Sequence, residues 1–176
     1  MTSRKNNIMI SPEQALQILE DAGCSRSVVE HCIAVSEFAT EIGKKLVDNG
    51  KELDLQLIKI GGLLHDLGRT KTHGIRHAIE GASIAKEIGL ENSVVEIIKK
   101  HIGAGITVDE AQKLGLPEDN YIPQTIEEKI VAHADNLVKG TRRISLEEKI
   151  SLMQKSKVHS RAIEMLKELA DELERY

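Results

Sequence analysis

Residues Leu53–Leu67 form an almost unbroken apolar run that ends on an adjacent histidine and aspartate, in the stretch GGLLHDLGRT of Gly61–Thr70. A helix that is apolar nearly all round has to be covered on every side. The run therefore predicts a central helix with other elements packed around it. Ionisable groups carried into such an interior are costly unless something pairs with them. His65 and Asp66 thus constrain the chemistry of the chain as well as its fold.

The remaining sequence reads as helices. Ser11-Pro12-Glu13-Gln14 carries an N-cap serine, a proline at the first helical position and a capping-box glutamine, and Gly23 ends that helix. A long helix follows over Arg26–Asn49, with Val28, Cys32, Val35, Ala39, Ile42 and Leu46 at spacings of three and four. The central helix covers Leu53–Leu67 and stops at Gly68, and Arg69–Ile75 reads as a basic loop. Further helices are predicted over Arg76–Ile88, Asn92–Ile102, Val108–Leu114, Thr125–Val138, Ser145–Gln154 and Lys157–Glu174. No strand-like alternation is longer than a few residues. The expectation is an all-α, single-domain bundle over 1–176, with its core in about 25–139 and helices at 145–174 packed on it. Phe38, Tyr121 and Tyr176 are the only aromatics, so Ile, Leu, Val and Ala must fill the interior.

Several functions are disfavoured by composition. The formal net charge of −4 leaves no global basic footprint for double-stranded nucleic acid. So few aromatic rings argue against a base-stacking platform for single strands. Cys24 and Cys32 fit neither a disulfide framework nor a zinc ribbon, and read as small buried hydrophobes in a reducing compartment. The start, MTSRKNNIMI, lacks the apolar stretch of a leader, and no run approaches a membrane span. A cytoplasmic protein without membrane partners is expected.

Helical phase places four histidines inward on four helices. His31 is in line with Val35 and Phe38, His77 with Gly81, Ile84 and Ile88, His101 with Val94, Ile97 and Ile98, and His65 with Ile58, Gly61 and Gly62. In VAHADNLV, His133 and Asp135 sit at opposite edges of one apolar arc, and phase alone does not choose between them. His159 falls near the apolar side of the last helix and reads as structural, while His73 lies in the polar loop. A structural core has little use for so many ionisable groups. A divalent transition metal such as Mn, Fe, Co, Ni or Zn answers them economically, since imidazoles supply lone pairs and carboxylates supply charge.

In this order the residues resemble the HD-domain superfamily of metal-dependent phosphohydrolases, in particular its small stand-alone HDIG-type members. The match is His31 in VVEHCIAVSEFA, His65-Asp66 in GGLLHDLGR and Asp135 in VAHADNLV, with His77 in RHAIEGASIAKEIG and His101 in IIKKHIGAGIT at the positions of two-metal relatives. Leu67 replaces the usual isoleucine, and Arg69 stands where many relatives have lysine. The resemblance selects Asp135 over His133. It implies one ion on His31, His65, Asp66 and Asp135, a second on His77 and His101, and Asp66 shared between them. The implied reaction is hydrolysis of a phosphoester in a nucleotide or similar small molecule, possibly cyclic, through a hydroxide held between the ions. Asp66 and Arg69 carry the catalytic expectation. Arg69, Arg76 and Lys139 are the candidates for holding phosphate, and Lys71 and Arg143 could extend a basic rim. Two alternatives accompany this reading: a di-iron oxygenase on the same scaffold, and a non-catalytic module binding a nucleotide or a protein.

Overall fold

The computed structural model describes residues 9–176; most of the segment read above for a leader lies outside them. Helix α1 (Pro12–Asp21) begins at the expected capping box, in which the Gln14 amide donates to Ser11 Oγ and the Ser11 amide donates to Gln14 Oε1. Ser25 caps α2 (Arg26–Asp48), and Asp54 caps the central helix α3 (Leu55–Leu64). Helices α4 (His77–Glu87), α5 (Asn92–Lys100), α6 (Val108–Lys113), α7 (Ile126–Asn136), α8 (Leu146–Lys155) and α9 (Ser160–Glu174) follow. The all-α expectation holds, with one small addition. Strands β1 (Val138–Lys139) and β2 (Arg142–Arg143) form an antiparallel hairpin.

Helix α3 lies among α1, α2, α5 and α7, as an apolar segment must. Ile60, Leu63 and Leu64 pack with Ala15 and Leu19 of α1 and Val94, Val95 and Ile98 of α5. Ile58 joins a second cluster with Val35 and Ala39 of α2, Ile130, Val131 and Ala134 of α7, and Leu169 and Leu173 of α9. Gln56 and Lys59 remain exposed, so cover is complete only over the last turn, where Ile60 to Leu64 are buried. Ser36 on α2 donates to the Lys59 carbonyl at 2.7 Å and pins the two helices together.

Three helix C-termini fall two or three residues short of the expected bounds, each beside the site; α3 also starts two residues late, at Leu55, and α9 three residues late, at Ser160. α3 stops at Leu64, not Leu67; His65 becomes its C-cap, and a 3-10 turn follows at Leu67–Thr70. The tighter turn allows Gly68 to press directly on the backbone of α4 at His77 and Gly81. α5 ends at Lys100, with His101 as C-cap rather than inside the helix. α7 ends at Asn136 and not Val138, because the next residues pair in the hairpin. The two-residue loop of that hairpin has Gly140 at φ +63 in its first position, the place where a primed turn calls for glycine.

Gly68→Ala is expected to cost about 3 kcal/mol of stability, because the added methyl would meet backbone that cannot turn aside. Gly74→Ala would meet only Thr72 Oγ1 at 3.7 Å and should change stability by no more than about 0.5 kcal/mol. Urea unfolding of both variants checks this; equal effects would contradict the close-packing account.

Candidate metal centre

His31 comes from the second turn of α2, His65 from the end of α3, Asp66 from the junction after it, His77 from the first turn of α4, His101 from the end of α5, and Asp135 from the last turn of α7. Each histidine is held by its outer nitrogen. Nδ1 of His65, His77 and His101 lies 2.8, 2.8 and 2.7 Å from the carbonyl three residues earlier, on Gly62, Gly74 and Ile98. Nδ1 of His31 lies 2.7 Å from the Gly140 carbonyl in the hairpin loop. A carbonyl can only accept, so all four Nδ1 atoms carry hydrogen. In the neutral rings every Nε2 then presents a bare lone pair.

Those lone pairs converge on two carboxylates. Asp135 Oδ1 lies 3.0 Å from His31 Nε2 and 3.4 Å from His65 Nε2. Asp66 faces two ways. Its Oδ2 lies 3.9 Å from His31 Nε2 and 3.8 Å from His65 Nε2, while its Oδ1 lies 3.0 Å from His77 Nε2 and 3.6 Å from His101 Nε2. Two sets of donors within 4.8 Å of one another result: His31, His65 and Asp135, and His65, Asp66 and His101. The six residues expected from sequence are therefore brought together.

The donor set fits cations on physical grounds. His65 Nε2 is buried with no hydrogen-bond partner of good geometry. His77 Nε2 and His101 Nε2 face each other at 3.0 Å, a repulsive arrangement for two lone pairs unless a positive charge sits with them. Burial opposes ionisation of both aspartates. The charge on His65 nevertheless holds Asp66 and Asp135 far below the ordinary carboxylate range. Burial likewise works against a charged His65, yet Asp66, with Asp135, raises it well above 6.5. Burial and the neighbouring His65 push His101 down. The interior thus holds negative charge that calls for either a proton or a metal. Imidazole and carboxylate donors together suit transition metals.

The basic candidates are distributed differently. Arg69 reaches the centre: Nε donates to Asp66 Oδ1 at 3.1 Å and Nη1 to the His73 carbonyl at 2.9 Å. Arg76 is exposed and donates to the Gly115 carbonyl at 3.3 Å. Lys139 is exposed in β1, one residue before the carbonyl that holds His31. Arg143 is engaged elsewhere, paired with Glu41 at 2.8 Å and stacked over Phe38 at 4.3 Å. His133, which phase could not separate from Asp135, lies outside the cluster; burial lowers it to about 4, and its Nδ1 is unpartnered. His159 is exposed and caps α9 by accepting from the Arg161 amide. Cys32 is buried, and both cysteines are free thiols.

The sequence reading did not find the Gly140 carbonyl, whose only signal was a glycine in KGTR after the last aspartate. A cavity of about 610 Å³ is lined by Ile75, Ile102, Asn136, Met153, Val158 and Leu166, among others, and by none of the six ligand candidates.

Comparisons with known proteins bear on the family and the fold. The profile of the HD domain matches residues 28–140. An uncharacterised protein of Methanocaldococcus jannaschii is 51% identical over 81% of this chain and 84% of its own length. A tRNA (cytidine(56)-2'-O)-methyltransferase of Thermoplasma volcanium is 44% identical over 88% of this chain, which spans only 45% of that protein. Among solved structures, the HD domain of the Listeria monocytogenes phosphodiesterase PgpH superposes with a TM-score of 0.56 at 16% identity, covering 88% of this chain and 94% of that one. The same domain is also known in complex with cyclic-di-AMP.

Asp66, with Asp135, raises His65 above its ordinary value and so favours a charged ring there. That charge stabilises the metal-free fold fully below the unfolded value, and the contribution is lost as pH rises through the folded one. A cation competes with the same proton, so zinc uptake at pH 7 should release protons and weaken as pH falls. Calorimetric titration in buffers of different ionisation heat measures this; uptake without proton release would contradict it.

Proposed function

The chain belongs to the HD-domain family, and we propose from that premise that it is a metal-dependent phosphohydrolase acting on a phosphoester of a nucleotide. The observation that carries this reading is the division of Asp66 between two groups of imidazoles, one oxygen toward each. His31, His65, Asp135 and Asp66 Oδ2 would hold one divalent transition metal. His77, His101 and Asp66 Oδ1 would hold the second. Bound there, the ions would supply an acidified water and screen the charge of the phosphate.

The protein's own groups do the rest. The four Nδ1–H bonds fix the rings, so no reorganisation accompanies binding. Arg69 holds Asp66 in place and, with its side chain half-buried at the edge of the cluster, offers its remaining guanidinium hydrogens to phosphate oxygens. Arg76, which donates to the Gly115 carbonyl, and Lys139, both exposed, are the candidates to extend that reach. The cyclic-di-AMP complex of the structural neighbour makes a phosphodiester the first class to test, and the methyltransferase relative adds RNA to it.

The test is a screen of cyclic dinucleotides, 2′,3′-cyclic nucleotides, nucleoside monophosphates and a short RNA, each with Mn, Fe, Co, Ni or Zn. Turnover that requires a transition metal is expected for at least one class. Protein that carries its metal and hydrolyses none of them would overturn the reading. Asp66→Asn should lose both ions and lower turnover about a hundredfold or more. His101→Ala should keep one ion while losing most activity, and unchanged activity would point to a mononuclear site.

A further inference from the structure

Next to the centre lies a second buried ionic cluster that the reaction does not use. Lys100 is 5% exposed and Glu128 6% exposed. Lys100 Nζ lies 3.1 Å from both Glu128 oxygens and 3.0 Å from Glu96. Lys99 Nζ lies 2.9 Å from both Glu96 and Asp119. Glu128 Oε2 also accepts the Gln124 amide at 2.7 Å, so the loop leading into α7 belongs to the same network. Charges this deep bring little net stability, and apolar residues of similar size would serve packing as well or better.

Their position along the chain suggests a use. Lys100 immediately precedes His101, whose ring is held by the Ile98 carbonyl in the same last turn of α5. Glu128 is seven residues before Asp135, two turns up the same face of α7. The pair therefore bridges the helix that delivers His101 to the helix that delivers Asp135. Past the ligands a second tie joins the end of α7 to the loop that follows α5: Asn136 Nδ2 donates to the Gly103 carbonyl at 2.7 Å.

We propose that Lys100 and Glu128 are positioning residues for the second cation, setting His101 at its distance from the Asp66 and Asp135 carboxylates. The proposal rests on the metal-centre reading given above. A directional pair fixes the relation of two helices in a way that interchangeable apolar contacts do not, and loss of groups that orient metal ligands typically weakens binding by about ten- to a hundredfold.

The experiment compares wild type with Lys100→Met/Glu128→Leu, which replaces the pair by apolar residues, and with Glu128→Gln, which keeps shape and the cap of α7. Urea unfolding in chelator measures the fold; cobalt(II) titration followed by visible absorption measures the two sites. Expected are a urea midpoint for the double variant lowered only by the lost bonds from the Gln124 and Thr125 amides, an unchanged tighter site, and a weaker site that loses about tenfold or more in affinity with an altered cobalt spectrum. Should the double variant not fold, Glu128→Gln carries the same comparison, with the same selective loss expected. A variant that folds and binds both cobalt ions like wild type would overturn the proposal and leave the metal centre standing. Wild-type protein that takes up no cobalt would overturn both.

Discussion

Two carboxylates placed in an aliphatic interior are the constraint on which the rest of the structure depends. Among the imidazoles that surround them, the charge of His65 is the largest influence favouring ionised Asp66 and Asp135. Those imidazoles can surround them only because each ring is fixed from behind by a main-chain carbonyl. The carbonyls in turn are available because the helices end or bend where they do. A core of Ile, Leu, Val and Ala supplies the stiffness, since few aromatic side chains are present to fill space.

One local device recurs. At His65 and at His101 a helix stops, the histidine becomes the cap, and its Nδ1–H satisfies a carbonyl of the last turn. Carbonyls at a helix C-terminus lack intrahelical partners, so the ring meets a need that the backbone already has. His77 uses the same three-residue offset at the start of α4, taking the Gly74 carbonyl of the preceding turn. Helix ends serve here as sockets that aim a lone pair.

Much of this was legible in the sequence for physical reasons. Apolar spacing and capping residues gave α1 and α2 nearly to the residue, and inward phase identified the four clustered histidines. Phase failed at His133 and Asp135, which flank one arc, because position on a helix does not reveal which flank meets the neighbouring elements. The ends of α3, α5 and α7 were placed two or three residues too far along, because apolar periodicity continued past the point where tertiary contacts bent the chain. The hairpin was invisible for a related reason: two residues per strand are too few to show alternation. Arg69 was expected to face phosphate, and its bond to Asp66 depends on a turn that composition does not encode.

The hydrogen bond from His31 to Gly140 joins residues 109 positions apart, and the contact from His31 to Asp135 spans 104. Contacts of such long range pay their loop-closure entropy late. During synthesis, a chain still tethered to the ribosome can form α2 and α3 while residue 140 remains inside the exit tunnel. The first histidine then swings without its anchor. That side of the centre is complete only once residues 135 and 140 have joined the fold.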